Sequence, residues 1–208
     1  PFVTDITDAV QYGCENELYI TLDNSDDPLI PPGKPQYDLD FTYDGGLYRD
    51  VTLTVCEPLY ITDPILAGEK AGGGIFVWYT DVTGESAHVH IKVQIKNEYA
   101  GKTEYTAVFS LLTPGGEKAG ESRVESRLSS GESEYLETVI ESKNPKLWSP
   151  ETPSLYALEL ELRSGGKEIY GDTIHIGIRD FKFTLHDGVI YNGISRRFNG
   201  ANYHQTWP

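Results

Sequence analysis

The chain has 208 residues, of which 38% are hydrophobic and 12% aromatic, a composition that supports packed cores and excludes a disordered protein. Its net charge of −15 leaves no basic patch to displace the counterions of a phosphate backbone, so we expect no nucleic-acid partner. Every apolar run is shorter than a bilayer-crossing helix needs, so no membrane span is predicted.

An apolar–polar alternation of period two runs through most of the chain and is typical of β-strands. It predicts strands at residues 18–22, 51–56, 88–96, 158–163 and 174–178. No amphipathic pattern of three helical turns is found. The sequence therefore predicts an all-β fold.

Glycines and changes in strand density divide the chain into three predicted parts. A glycine-rich stretch at 66–74 separates an early group of strands from a later one. The run from about 75 to 183 contains about seven short strands, including a hairpin turned by Gly165 and Gly166, and this predicts an immunoglobulin-like β-sandwich. Residues 1–62 have too few strands to close a sandwich alone, and residues 184–208 are too few to bury a core. The predicted domains are accordingly 1–62, 63–183 and 184–208.

Two groups of possible metal ligands are weak candidates. Cys14 and Cys56 lack the CxxC spacing of a metal site, and the sequence leaves both their pairing and the cellular compartment open. His88 and His90 would share one strand face, but Lys92 continues that face as a solvated edge. No metal and no cofactor are predicted.

The last eighteen residues are the most informative part of the chain. They predict a short hairpin and then a strand that ends in a polar and aromatic cluster, with Asn202, His204, Gln205 and Trp207 close in sequence. Such a strand tip is typical of the first piece of a binding site. We therefore expect the chain to be a fragment of an enzyme.

Three ordered segments resemble glycoside hydrolase family 2, the β-galactosidase family. Residues 45–51, GGLYRDV, are similar to the family's GGIYRDV segment. Residues 147–156, LWSPETPSLY, followed by 177–179, GIR, resemble its LWSP and GfR segments. Residues 198–205, FNGANYHQ, are similar to its GvNrHq segment.

The resemblance implies an architecture and a reaction. The architecture is the end of a jelly-roll sugar-binding domain, an immunoglobulin-like sandwich and the first strand of a (β/α)8 barrel. The reaction is retaining hydrolysis by two glutamates, which in this family lie on later barrel strands and so outside this chain. The chain alone is expected to be inactive.

Three candidate substrate contacts lie in the final segment. His204 matches the histidine of the family segment, at the end of the barrel strand where barrel active sites form, and would hydrogen-bond a sugar hydroxyl. Asn202 would support the same strand end, either as a contact or structurally. Trp207 would stack on a sugar face or pack against protein.

Asp40 is the fourth candidate contact. In the galactosidase members, an aspartate ten positions before the RDV aspartate contacts bound galactose, and Asp40 stands at that distance from Asp50. The alternative is a solvated turn aspartate, with Asp38 as a neighbouring candidate. Arg49 and Asp50 are predicted to form a structural ion pair.

Two further residues of the family segments are predicted to be structural. Trp148 is expected to anchor the sandwich core between prolines. Arg179 is expected to pair across the junction between the sandwich and the barrel.

The substrate class depends on the resemblance. Ala201, Tyr203 and Asn199 depart from the family segment, and Tyr203 replaces the arginine beside the histidine. His204 is more similar to galactosidases and glucuronidases than to mannosidases, and Asp40 favours a β-galactoside as the carbohydrate partner.

Other readings remain. A non-catalytic β-sandwich module that binds glycan or links domains is the rival hypothesis, and an extracellular adhesion domain is a weaker one without a calcium-ligand pattern. Open strand edges in the incomplete first sandwich also predict self-association, so a homo-oligomer is possible.

Overall fold

The computed structural model describes residues 2–31, 33–39 and 45–203. The described residues fall into two compact units, one formed by residues up to 5 together with 55–197 and the other by residues 6–54 together with 198–203. All eleven described strands belong to the first unit, and the predicted all-β fold is confirmed. They are β1 (Leu59–Ile61), β2 (Ile75–Thr80), β3 (Ser86–Asn97), β4 (Thr103–Leu112), β5 (Lys118–Leu128), β6 (Ser133–Lys143), β7 (Tyr156–Ser164), β8 (Lys167–Ile176), β9 (Phe181–Thr184), β10 (Gly188–Tyr191) and β11 (Ile194–Arg196).

Two antiparallel sheets face each other in a sandwich. In the first sheet β3 is central, with β6 along one side and β2 and β1 following one another along the other. The second sheet has the order β5-β4-β7-β8. The chain crosses between the sheets after β3, returns after β5 and crosses again after β6, which is an immunoglobulin-like connectivity. The seven strands β2–β8 match the number expected from the sequence.

The core lies between the inner faces of these sheets. Alternation places every second side chain of β3, β4 and β7 inward, where apolar area is removed from water. Large side chains of these strands that are almost fully buried include Val89, Ile91, Val93, Ile95, Phe109, Leu111, Leu158, Leu160 and Leu162.

The predicted Gly165–Gly166 turn is confirmed. It joins β7 to β8 in a two-residue loop, and both glycines have positive φ, 57° and 80°. A two-residue hairpin loop with positive φ at both positions matches the right-handed twist of its strands and favours glycine.

Two predicted strands are absent. Residues 18–22 and 51–56 alternate as strands do, but neither segment is paired in the described part of the chain, and Leu18 and Leu53 are exposed. Alternation fixes which side chains share a face, whereas a strand also needs a neighbour for its backbone N–H and C=O groups. The smaller unit contains one short 3-10 helix, Gln36–Asp38, and no strand among its described residues.

The glycine-rich stretch is packed against the first sheet. Thr62 Oγ1 donates a 2.7 Å hydrogen bond to Gln94 Oε1 and accepts a 3.0 Å bond from the backbone N–H of Gly74. Thr62 and Gln94 are both buried. β1, which precedes Thr62, pairs with β3 although it lies within the predicted 1–62 part. The boundary at residue 62 stays a prediction.

A second set of contacts holds the middle of that stretch. Gln94 Nε2 donates a 2.7 Å bond to Glu69 Oε1, and the Gly73 N–H donates a 3.0 Å bond to the Tyr135 hydroxyl. A Cβ at Gly73 would lie 2.6 Å from that of Ala67, and φ is 75°, so only glycine fits. The hydrogen bonds to Glu69 lower the pKa of its carboxyl, the bond from Tyr135 most strongly.

Replacing Thr62 with valine is expected to lower the free energy of unfolding by about 1–2 kcal/mol, because the buried Gln94 carbonyl and Gly74 N–H each lose a partner. Urea denaturation of the chain followed by far-UV circular dichroism measures the change. The matched control is Thr173→Val, an exposed strand position expected to change little. Equal losses in both variants would refute the role of the buried hydroxyl.

A third, smaller sheet follows the sandwich. Its strand order is β11-β10-β9, and all pairs are antiparallel. The hairpin predicted near residue 191 is therefore present as β10–β11. Residues 197–203 form no strand, so the first barrel strand stays a prediction.

Candidate functional site

Only one of the four predicted substrate contacts lies among the residues that the structure describes. Asp40, His204 and Trp207 lie outside the described residues. Asn202 is exposed in a stretch without regular secondary structure, and Asp38, the alternate to Asp40, is exposed at the end of the 3-10 helix. The structure therefore does not test a shared site, and these assignments stay predictions.

The predicted ion pair between Arg49 and Asp50 is not found in the described part of the chain. Arg49 instead lies over the ring of its neighbour Tyr48, with its guanidinium carbon 5.7 Å from the ring centroid. This cation–π contact joins two residues that are adjacent in sequence, so it does not connect distant parts of the chain.

The two histidines of β3 have separate partners. His88 Nδ1 lies 3.0 Å from Asp81 Oδ2, and His90 Nε2 lies 2.8 Å from the Thr80 hydroxyl. The bond with His88 lowers the pKa of the Asp81 carboxyl. The predicted solvated edge is wrong in one respect, because β3 is the central strand and the histidines lie on its outward face.

No cluster of three or more metal-ligating side chains occurs among the described residues. Cys14 and Cys56 are exposed and free of any disulfide there. Within the same residues, no helix has both the length and the hydrophobicity needed to cross a lipid bilayer.

Two of the family segments and a hairpin meet at one end of the sandwich. The loop that carries Trp148, the segment after β8 and the β10–β11 hairpin are in direct contact there, and we call this region the junction. The Trp148 N–H donates a 2.8 Å bond to the Ile178 carbonyl, which ties the first two segments together.

Asn192 connects all three segments of the junction. Its Nδ2 donates a 3.0 Å bond to the Trp148 carbonyl, and its Oδ1 accepts a 3.0 Å bond from the Asp180 N–H. The Asn192 N–H donates a 2.9 Å bond to the Asp180 carbonyl. Its φ of 48° and that of Gly193, 77°, form the tight hairpin turn that an Asn-Gly pair favours.

Aromatic side chains pack together in the junction. The Tyr191 hydroxyl donates a 2.9 Å bond to the Trp148 carbonyl, and the two rings meet edge to face at 6.0 Å between centroids. The Phe181 ring packs on Tyr191 in the same manner at 5.7 Å. Burial raises the pKa of the Tyr191 phenol, so at neutral pH it remains a hydrogen-bond donor.

The close packing of Trp148 against residue 177 explains why the GIR segment begins with a glycine. A Cβ at Gly177 would lie 2.8 Å from two atoms of the Trp148 indole. Arg179 covers the same ring, with its guanidinium carbon 5.6 Å from the centroid, and its Nη1 donates a 3.0 Å bond to the Gly177 carbonyl. The positive charge thus lies over an electron-rich ring face.

One expectation for the junction needs correction. Trp148 is half-buried at the end of the sandwich, where it packs on Tyr191, and does not fill the space between the sheets. Tyr191 and Asn192 were not identified from the sequence as partners of Trp148. The Asn192-Gly193 pair was the signal available, since it marks a fixed turn, but the turn's partners are distant in sequence.

The sandwich, the loop that carries Trp148 and the GIR segment match a known family. The model of "Glycosyl hydrolases family 2" matches residues 75–179, half of the chain. The chain belongs to glycosyl hydrolase family 2. The family expected from the sequence is therefore confirmed.

Individual relatives in family 2 extend the match over the whole chain. A β-glucuronidase of Bacteroides fragilis is 30% identical over 98% of this chain and 28% of its own length. A β-galactosidase of Thermoanaerobacter pseudethanolicus is 28% identical over 100% of this chain and 26% of its own length.

Solved structures of family 2 proteins share the fold. The crystal structure of a Bacteroides fragilis protein assigned as a β-galactosidase has a TM-score of 0.79 and 28% identity, covering 92% of this chain and 28% of that one. The chain spans about a quarter of the length of the curated relatives it matches.

Proposed function

We propose that this chain is part of a retaining glycoside hydrolase that releases terminal β-galactosyl residues. The observation that carries the proposal is the family 2 match across the complete sandwich, β2 to Arg179. The names of the relatives support it, because they include β-galactosidases and β-glucuronidases.

In this proposal the chain supplies scaffold and substrate contacts. Retaining hydrolysis uses two carboxyl groups about 5–5.5 Å apart, one as nucleophile and one as acid and base. The family resemblance assigns both to glutamates beyond these residues. Asp40 and His204 would orient the sugar by hydrogen bonds to its hydroxyls, with Asn202 and Trp207 beside them, and such orientation lowers the activation barrier.

Charge favours a galactoside over a glucuronide. The four proposed contacts include one carboxylate and no arginine or lysine, and the chain carries a net charge of −15. A glucuronide brings its own carboxylate, which such surroundings would repel. A galactoside has a neutral hydroxymethyl group at that position and avoids the repulsion.

A β-glucuronidase is the second candidate. A specific observation favours it, since the relatives from Formosa agariphila and Bacteroides fragilis, 26% and 30% identical, are both named β-glucuronidases. In that case a cation outside these residues would have to bind the sugar carboxylate.

The test compares kcat/KM of the full-length protein on nitrophenyl β-galactoside, β-glucuronide and β-mannoside. We expect the galactoside to be hydrolysed fastest, with retention of configuration. Asp40→Asn is expected to reduce kcat/KM by about 10- to 100-fold, since a charged hydrogen bond to a hydroxyl is lost. Asp38→Asn tests the neighbouring candidate and should leave the rate unchanged if Asp40 makes the contact.

Two results would contradict the proposal. A higher kcat/KM on the glucuronide would show that the protein is a β-glucuronidase, the second candidate. Absence of hydrolysis of all three substrates would favour the rival hypothesis of a non-catalytic carbohydrate-binding or linking module.

A further inference from the structure

The outward face of the first sheet carries aromatic side chains where a solvated face usually carries polar ones. Along β2, Ile75, Val77 and Tyr79 pack against the core, which leaves Phe76 and Trp78 on the opposite side. The Phe76 side chain is 63% exposed. The ring belongs neither to the hydrophobic core nor to the side chains packed against it.

The rings of this face form a continuous row across two strands. The Phe76 and Trp78 centroids are 5.6 Å apart, with the planes tilted by 36°. Trp78 lies opposite His90 in the register of β2 and β3, and the two rings stack at 5.0 Å with an angle of 12°. We call Phe76, Trp78 and His90 the aromatic row.

Charges beside the aromatic row are compensated locally. Lys92 Nζ lies 2.8 Å from Glu137 Oε1 and 4.6 Å from the centroid of the Tyr135 ring. His88 is bonded to Asp81, as described above. Lys92 and His88 therefore each lie next to a group of opposite charge. The face offers aromatic ring surfaces bordered by hydrogen-bonding groups.

We propose that the aromatic row binds a neutral oligosaccharide. A pyranose ring has an apolar C–H face, which stacks on an aromatic ring, and a rim of hydroxyls that both donate and accept hydrogen bonds. The spacing of Phe76 and Trp78 is comparable to the length of one pyranose unit. Lys92, Glu137 and the Thr80 hydroxyl lie in register beside the rings and can serve the hydroxyls.

Charge argues against other occupants. An acidic polysaccharide would meet a chain of net charge −15, and Glu137 lies directly on this face. A lipid surface would require burying the Lys92–Glu137 pair, which is costly in a low dielectric.

Cross-strand pairing accounts for only part of the row. Stacking of Trp78 on His90 contributes to the stability of the sheet, as cross-strand aromatic pairs do. It gives no reason for Phe76, which extends the row outward into solvent. A sugar that stacks on the row uses the ring that the pairing leaves uncovered.

The test is retardation of the full-length protein in native gels that contain galactan, xylan or, as a charged comparator, polygalacturonan. We expect retardation by at least one neutral polysaccharide and none by polygalacturonan. Phe76→Ala should weaken the affinity at least about tenfold, and Trp78→Ala should do the same with an unchanged circular dichroism spectrum. Phe183→Ala, which removes a 78% exposed ring from β9, is the matched control and should bind normally.

Three outcomes would overturn the inference: no retardation by any neutral polysaccharide, equal loss in the Phe183 control, or an altered oligomeric mass in the Phe76 variant. The last would mean that the row is a protein contact. The inference does not depend on the galactosidase proposal. Hydrolysis of the nitrophenyl substrates is measured on the same variants. A variant that loses polysaccharide binding but keeps hydrolysis distinguishes the aromatic row from the proposed catalytic function.

Discussion

Replacing Trp148 with alanine is expected to lower the free energy of unfolding of this chain by about 2–4 kcal/mol, slightly below the usual cost for a fully buried tryptophan because Trp148 is half-buried. The variant removes the ring that fills the space above Gly177 and packs on Tyr191. It also removes the ring over which the Arg179 guanidinium lies. Urea denaturation followed by far-UV circular dichroism measures the loss.

A conservative replacement provides the control for this prediction. Trp148→Phe keeps an aromatic ring against Tyr191 and is expected to lose roughly half as much. The Gly177→Ala variant should also be destabilised, by about 1–3 kcal/mol, because the added methyl overlaps the indole. A stable Gly177→Ala variant, together with a Trp148→Ala variant close to the wild type, would mean that the junction does not hold the loop.

Replacing Asn192 with alanine is expected to cost about 2–3 kcal/mol. The Asp180 N–H loses its acceptor in a partly buried position, and the Trp148 carbonyl loses one of two donors. Alanine at a φ of 48° adds about 1 kcal/mol of backbone strain. The same denaturation experiment measures the effect.

Two variants separate these contributions. Asn192→Gly removes the same hydrogen bonds without the strain and should lose about 1 kcal/mol less than alanine. Asn144 also has a positive φ, 47°, but is exposed, so Asn144→Ala should show the strain alone. Equal losses for Asn144→Ala and Asn192→Ala would refute the hydrogen-bonding role of Asn192.

Three of the sandwich strands, β3, β7 and β8, were predictable because each carries its own alternating pattern. Residues 88–96 and 158–163 alternate regularly, and both lie in strands that are central to their sheets. Turn chemistry is equally local, since Gly165-Gly166 supplies the positive φ that a two-residue hairpin needs. The family resemblance rested mainly on residues outside these strands, in the loop before β7, in the segment after β8 and in residues 45–51 and 198–205.

The candidate site was predictable only through resemblance. Composition and spacing identify Asn202 and Trp207 as polar and aromatic groups near a strand tip, but they give no distances between Asp40 and His204, 164 positions apart in the sequence. Bringing two such residues together depends on how domains pack, which no local pattern encodes.

The sequence alone determined the all-β class, the approximate number of sandwich strands, the positions of β3, β7 and β8 and the Gly165-Gly166 turn, because alternation and turn chemistry act over a few residues. Tertiary structure alone decided that residues 18–22 and 51–56 are not strands, since pairing depends on a neighbour elsewhere in space. It also decided that Trp148 packs on Tyr191 and that Phe76 and Trp78 line up with His90. The first contact joins residues 43 positions apart, and the second joins two strands connected by the loop 81–85. Only the packing of loops and the register of strands bring these residues together.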